Sequence, residues 1–550
     1  MDPKGHVWFG NNEDASFSFY NYINVFPKKK GVKFGYYTLS KDKPENGENA
    51  QIAGGMNEAG LAFDFNATAL YPVKGMYLKK EFPQGDKAML SYILGNFSTV
   101  EEVVSFFQTY WFQFGFRSAQ MHLADRHGHF ALISPTGSRI LKNSLFQVST
   151  NFDICSKADS TACWRYPIAQ NSLKNQSPSL EVFTDICKKT AQGRHTIYSS
   201  ISDLTTGAIC FYFSGDYVNS YQTTLHSLLK NGRKSYALYE LIPQNPICQV
   251  YKTYQSNGVE AAYEQYNKLP VATEHKRIVL ENLLEFFTTE KNEYTIYPFV
   301  TELTRIGNAD LDYWLIKSAI EVQKGDVGQA KSTIEATLKK FPDRQELIQS
   351  FFNRINGQFE EKANATFSLE GYPNARFVII KSIPASSNFY PLNNLTFMHK
   401  EGGQWVSKFK LANGIYNYVF IVDGQEVLSK QLPTTQIKNL LQETKTCHQL
   451  CLGFSQETYP LHIELKVPNQ EDEVYIVGNQ ESLFAAPLIY MKQTSPFERN
   501  ITVSVHYPAA FKFVSGAGKQ EALLKEIDNK QPIIINSLSP RNTYEVMEWK

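Results

Sequence analysis

Trp8-Phe9-Gly10-Asn11-Asn12-Glu13-Asp14 follows His6-Val7 without a break, so an apolar, strand-like run passes directly into a polar one near the start of the sequence. First residues fray unless a sheet holds them, and the stretch therefore predicts a strand paired into a sheet from the outset. No basic-then-apolar leader stands ahead of it, and no secretion signal is expected in the sequence as written.

From there to about residue 235, short strands alternate with turns and a few helices. Strand signals are Phe34-Gly35-Tyr36-Tyr37, Leu61-Ala62-Phe63-Asp64-Phe65, Ser118 to Leu123, Phe130 to Ile133 after the turn Asp125-Arg126-His127-Gly128, and Gly207 to Phe213. Val100 to Trp111 and Leu180 to Lys189 carry apolar residues at helical spacing. Residues 1–235 are expected to form an α+β domain with a large sheet system.

The period changes over 236–357, as in Leu311, Trp314, Leu315, Ala319 and Ile320, then Ala330, Ile334, Leu338 and Phe341. Asn257-Gly258-Val259-Glu260-Ala261-Ala262 and Gly325-Asp326-Val327-Gly328-Gln329-Ala330 read as turns opening the second helix of a tetratricopeptide-like hairpin, with no matching turn midway. An all-helical segment with a weak repeat character is expected. Alternation and turn residues then return, and 358–432 and 459–550 each have the size of a small β-sandwich. Residues 433–458 between them read as a linker with a short helix.

A chain of 550 residues, at roughly 100–200 per domain, is expected to hold about three to five domains. With 42% hydrophobic and 20% charged residues it buries enough apolar surface to exclude wholesale disorder. Fifty-five basic against 54 acidic residues leave a net charge of +1, which supplies no field for nucleic acid or anionic lipid. No apolar run approaches the ~18 residues of a membrane-spanning helix. Seven cysteines are too sparse for a disulfide framework, and no CxxC pair indicates zinc. Cys155 with Cys163, and Cys447 with Cys451, are near enough in sequence to close small loops; the alternative is buried, idle thiols.

Four motifs occur in a fixed order: Trp8 to Asp14, Gly55-Met56-Asn57-Glu58-Ala59-Gly60-Leu61-Ala62, Thr150-Asn151-Phe152, and Thr196-Ile197-Tyr198-Ser199-Ser200. Together they resemble the N-terminal-nucleophile (Ntn) hydrolases of the choloylglycine hydrolase and penicillin V acylase family, which includes acyltransferases. The resemblance implies a four-layer αββα sandwich for residues 1–235; the all-α segment and the two β-sandwich modules read from their own periodicity follow it. It also implies cleavage or transfer at a linear amide C–N bond, with no cofactor and no metal. The family's nucleophile is a cysteine at the mature N-terminus whose own α-amine, titrating near 8, serves as base.

By position, Asp14 matches the aspartate that holds the terminal ammonium, Asn66 and Asn151 the oxyanion-hole asparagines, and Arg165 a family arginine. Each residue on its own is also a commonplace turn or strand-end residue. Two departures stand out. Asn11 replaces the family's arginine, and no cysteine precedes Trp8, the first in the sequence being Cys155. The internal cysteines carry no free amine. Either a Cys-initiated strand and leader precede Met1, which is the preferred expectation and would place the protein outside the cytoplasm, or the chain is a non-catalytic binding or scaffolding relative. The polypeptide as written is expected to show no amidase turnover on acylated amino acids or penicillin V.

His122, Asp125, His127 and His129 lie close together on one hairpin, a set that could bind a divalent ion, although hairpin turns are usually polar without one. In the C-terminal blocks, Phe367 to Ala375, Gly403-Gln404-Trp405 and Gly414 to Gly424 resemble glycogen-binding early-set modules. Val474 to Asn479, Leu483 and Phe511-Lys512-Phe513 are similar to starch-binding modules. Such modules stack aromatic faces on sugars. Phe389 and Tyr390 are the side chains placed for a weak glucan contact, while Ala486 and the neighbourhood of Gly518 stand where tryptophans are expected. A structural or partner-docking sandwich is the preferred alternative to a carbohydrate-binding role.

Overall fold

The structure, a computed structural model, describes the chain apart from residues 1, 3, 15–20, 41–51, 69–78, 111, 113–115, 117, 157–162, 271–272, 290–295, 308, 360–361, 384–395, 439–443, 471, 479–488, 516–519, 526–531 and 537–541. It is a mixed α/β chain with several sheets, divided into two compact units, Met1–Phe286 and Phe287–Lys550. The boundary expected at 235 falls inside the first unit. No helix among the described residues is long and apolar enough to cross a membrane.

In the first unit the strands are β1 (Trp8–Asp14), β2 (Tyr22–Phe26), β3 (Tyr36–Ser40), β4 (Ile52–Asn57), β5 (Ala62–Ala67) and β6 (Ala119–Ala124). They continue with β7 (Phe130–Ser134), β8 (Gly137–Leu141), β9 (Thr196–Asp203), β10 (Ala208–Phe213), β11 (Asp216–Thr224) and β12 (Lys234–Ala237). One sheet has the order β1-β9-β10-β11 and the other β12-β2-β3-β4-β5-β6-β7-β8. Helices α1 (Asp86–Asn96) and α2 (Val100–Thr109) lie on the eight-stranded sheet, and α3 (Arg165–Asn175) packs on α4 (Leu180–Thr190), which lies on β1 and β9.

Local chemistry accounts for these elements. A reciprocal cap between Thr99 and Glu102 starts α2. Its buried Val100, Val103, Val104, Phe106 and Phe107 then join Leu61, Phe63, Met121 and Leu123 of the sheet in one core. Ser179 caps α4, whose Cys187 packs with Ile201, Cys210 and Tyr212. Along β1 the two-residue alternation sorts side chains between faces. Trp8 meets Phe183 and Asn12 donates to the Cys187 carbonyl, both on α4, while Phe9 stacks on His122 of β6 in the other sheet. Tyr37 likewise reaches across, edge-on to Phe211 at 6.2 Å.

Helices α5 (Leu225–Lys230), α6 (Leu238–Leu241), α7 (Pro246–Asn267) and α8 (Thr273–Thr289) follow. The turn read at Asn257-Gly258 is real: Gly258, at φ 84° and ψ −175°, breaks α7, because only glycine takes that geometry without strain.

The second unit opens with α9 (Tyr297–Ile306), α10 (Leu311–Gln323), α11 (Val327–Lys340) and α12 (Gln345–Ile355). Gly325, at φ 84°, makes the turn before α11, as its sequence predicts. The first β-rich block contains β13 (Ala365–Leu369), β14 (Val378–Ser382), β15 (His399–Glu401), β16 (Gln404–Phe409), β17 (Gly414–Val422), β18 (Gln425–Val427), β19 (Thr434–Lys438) and β20 (Thr444–Leu452), in two sheets. Its core includes Phe367, Ile380, Trp405, Tyr418 and Phe420. A second block runs from Tyr459–Lys466 to Asn542–Trp549, its strands joined in one sheet around Leu461, Ile463, Ile476, Phe511 and Phe513.

The linker with a short helix expected over 433–458 is instead β19 and β20. β20 hydrogen-bonds to β17 from Gly414 opposite Leu452 to Tyr418 opposite His448. The reason is a buried cross-link that no periodicity announces: His448 Nδ1–H donates to the Pro433 carbonyl at 2.9 Å, and its Nε2 accepts the Ser429 N–H at 2.9 Å. All seven cysteines are free. Cys447 and Cys451 are four steps apart on one strand, about 13 Å at the usual rise, which is beyond the reach of a disulfide.

Candidate functional site

The polar end of β1 carries the site. β1 runs opposite β9, but its register slips between Glu13 and Asp14, which brings Asp14 opposite Thr196. One oxygen of Asp14 accepts the Thr196 hydroxyl; the other accepts Gln192 Nε2 at 2.6 Å and one arm of the Arg165 guanidinium. The second arm of Arg165, at the first position of α3, donates to Asn151 Oδ1. Asn151 Nδ2 donates in turn to the Ala67 carbonyl at 3.0 Å, and the Ser149 hydroxyl donates to Asn66 Oδ1 at 2.7 Å. Asp14, Asn151 and Arg165, spread over 152 positions of sequence counted from 14 to 165, are thus joined in one hydrogen-bonded cluster, and Asn66 stands beside it, bonded to Ser149. Arg165 is its hub, with its side chain 12% exposed against 19% for Asp14, while Asn151 opens to solvent.

Buried polar groups hold the 149–156 segment in place. Gln120, fully buried on β6, donates to the carbonyls of Thr150 at 2.7 Å and Phe152 at 2.8 Å, and accepts the Ile154 N–H. Asp153, also fully buried, accepts the Thr136 hydroxyl at 2.8 Å and the N–H groups of Cys155 and Ser156. Neither residue stood out in the sequence; a buried amide in a strand is visible only once its partners are.

Cys163 also belongs here. Burial raises its thiol, but donors outweigh that: the Thr150 hydroxyl, the N–H and guanidinium of Arg165 and the Asn151 N–H together lower it to about 7. Its nearness to Arg165 in Cys163-Trp164-Arg165 was the available signal.

Beside the cluster, Asp64 of β5 is buried between the sheets, where burial and then the charge of Glu13 push its carboxyl well above the ordinary carboxylate range. Folded protein therefore holds a proton that unfolded protein releases, and stability falls as pH rises from the ordinary carboxylate value to the raised one. Asp64→Asn is expected to raise the melting temperature more at pH 8 than at pH 5, each pKa unit of displacement being worth about 1.4 kcal/mol. An equal effect at both pH values in thermal melts would show that the carboxyl carries no such penalty.

Of the hairpin histidines, His127 and His129 have ring centroids 6.3 Å apart, while His122 lies against Phe9. His122 is half-buried there, and desolvation lowers it to about 4. Among the described residues, Glu101, Asp125 and His129 bring ligand atoms within 4.8 Å of one another. Asp125, however, accepts the N–H groups of Val100, His127 and His129, and the Lys142 ammonium stands 2.9 Å from Glu101, so these carboxylates already have donors and a cation. In the first β-rich block Trp405 is 3% exposed, its indole N–H donating to the Tyr372 carbonyl at 3.1 Å, which makes it a core residue and not a sugar platform. Phe389, Tyr390, Ala486 and Gly518 lie outside the described residues.

No protein-family model matches the sequence, and no curated protein does. Among solved structures, penicillin V acylase from Agrobacterium tumefaciens is similar at 18% identity over 43% of this chain and 88% of its own, with a TM-score of 0.34. A variant of the conjugated bile acid hydrolase from Clostridium perfringens is similar at 16% identity over 42% of this chain and 93% of its own, with a TM-score of 0.33. A maltogenic amylase from S. marinus is similar at 14% identity over 31% of this chain and 28% of its own, with a TM-score of 0.14.

Proposed function

We propose that the region up to about residue 235 is an αββα Ntn-type hydrolase domain whose site receives a linear acyl amide, for C–N cleavage or acyl transfer. The observation that carries the reading is the joining of Asp14, Asn151 and Arg165, with Asn66 beside them, in one partly open cluster. A carboxylate there orients an ammonium, and amide N–H groups stabilise charge developing on a carbonyl oxygen. The nucleophile such chemistry uses, a cysteine bearing its own α-amine, is not among these residues, whose first cysteine is Cys155. Binding, not turnover, is accordingly the test.

Calorimetric titration of the full 550-residue chain with penicillin V and with N-acyl amino acids is expected to give saturable binding of at least one of them. Arg165→Ala and Asn151→Ala are each expected to weaken it by about 10–100-fold, the worth of a hydrogen bond involving a charged group. Absence of binding to the whole panel, or equal binding by the variants, would remove the reading. The two sandwiches are proposed as structural or docking modules, since Trp405 is committed to the core.

A further inference from the structure

The net charge of +1 conceals a segregation of charge. Residues 21–40 and 217–239 contain no aspartate or glutamate, and the pairing of β12 with β2, Lys234 opposite Val25, brings the two stretches to one corner of the first unit. The loop between β2 and β3 contributes Lys28, Lys29, Lys30 and Lys33 to that corner, and the turn between α5 and β12 contributes Lys230, Arg233 and Lys234; all seven are exposed. Both segments are fixed. The Val32 N–H donates to the Lys29 carbonyl at 3.0 Å around Gly31, whose φ is 83°, and the N–H groups of Lys33 and Phe34 donate to the Gly95 carbonyl of α1 at 2.8 and 3.1 Å. Gly232, at φ 75°, closes the second turn onto the Leu229 carbonyl at 3.1 Å, and the Leu229 side chain lies where a Cβ on Gly35 would stand 2.9 Å from it. The Arg233 guanidinium sits 5.6 Å above the Phe26 ring and the Lys234 ammonium 4.8 Å above the Tyr236 ring. Among the described residues, Lys28, Lys30, Lys33, Lys230, Arg233 and Lys234 make no ion pair. Glu58 reaches this corner, but its carboxylate accepts the Gly35 N–H at 2.6 Å. Like charges held side by side repel one another, and an anionic surface brought from outside relieves that repulsion.

We propose that this corner is an interaction surface for an anionic lipid bilayer, on which the protein rests through the two turns without crossing it. The charges sit on turns, which meet a flat surface without needing a groove. Six of the seven are lysines, compact point charges that ask no fixed geometry of a headgroup. A nucleic acid is held by forked arginines at base edges, by an element laid in a groove, or by aromatic faces open to its bases. Here the one arginine lies on Phe26, and both Phe26 and Tyr236 are half-buried beneath cations of the patch. Attraction of this kind reaches over a Debye length, about 10 Å at 0.1 M salt, and fades as salt rises.

Co-sedimentation of the full chain with vesicles tests this. Vesicles of phosphatidylcholine with about 30% phosphatidylserine are expected to bind it at about 50 mM salt and to release it by about 500 mM, while phosphatidylcholine alone leaves it in solution. Each cation near such a surface is worth about fivefold in affinity, so Lys28→Gln with Lys30→Gln and, separately, Lys230→Gln with Lys234→Gln are each expected to weaken binding by about 10–25-fold. Lys331→Gln with Lys339→Gln, both exposed on α11, is expected to change it by less than about twofold. No binding to the anionic vesicles, equal binding to both vesicle types, a loss no larger in the patch variants than in the α11 variant, or tighter binding of a short DNA duplex than of the anionic vesicles in the same salt would each overturn the proposal. No acyl amide enters these readouts, so the surface and the amide reading fail separately.

Discussion

Gln120→Met is expected to lower stability by about 3 kcal/mol and to abolish the binding proposed for the Asp14–Arg165–Asn151 cluster, although Gln120 lies outside that cluster. The substitution keeps the side chain's length and removes its amide. The carbonyls of Thr150 and Phe152 and the N–H of Ile154 then lose their partner in a place where water does not replace it. Each buried polar group left unmade costs about 1–3 kcal/mol. Asn151 lies between the two carbonyls, so the same change releases the residue that takes one arm of Arg165. Gln120 is therefore a positioning residue. Hydrogen exchange of the 149–156 amides separates this from a general loss of stability: they are expected to exchange faster than β6 and β7 themselves. Unchanged exchange there, with binding intact, would show that the segment is held by other means.

Lys317→Met is expected to destabilise the helices of the second unit by about 3–5 kcal/mol, the typical consequence of leaving a buried charge unpaired. Lys317 and Glu321 face each other at 2.8 Å on α10 with side chains 10% and 1% exposed. Thr333 of α11 accepts from the ammonium at 2.8 Å, and the Tyr297 hydroxyl of α9 donates to the carboxylate at 3.1 Å, so one ion pair fastens three helices. Removing the lysine alone strands Glu321. The double change Lys317→Met with Glu321→Leu, which removes both charges and keeps volume, is expected to recover most of the loss or exceed the parent. Hydrogen exchange of α10 peptides in the full chain reads both. A single variant as stable as the parent would mean the pair carries no buried charge.

Much of the local structure was legible. The apolar spacing from Val100 placed α2, and that from Leu180 placed α4, each to within two residues. Gly258 and Gly325 marked helix openings because a positive φ is a property of the glycine itself. The segment 433–458 failed for the opposite reason. Whether Thr444 to Leu452 is a strand depends on β17 and on the cross-link of His448 to Pro433 and Ser429, and no period of its own says so.

The site divides along the same line. Asp14, Asn66, Asn151 and Arg165 were named from their motifs, but their meeting was not contained in them. It required the register slip on β1, the pinning of 149–156 by Gln120 and Asp153, and the start of α3 beside both. Residue order, turn chemistry and hydrophobic period are properties of neighbours in the chain, so they are enough to set many of the elements and to name candidate residues for the site. Which atoms approach one another, and how far burial and donors move the acidity of Cys163 or Asp64, depends on distance and dielectric between segments remote in sequence. Only the tertiary structure sets those.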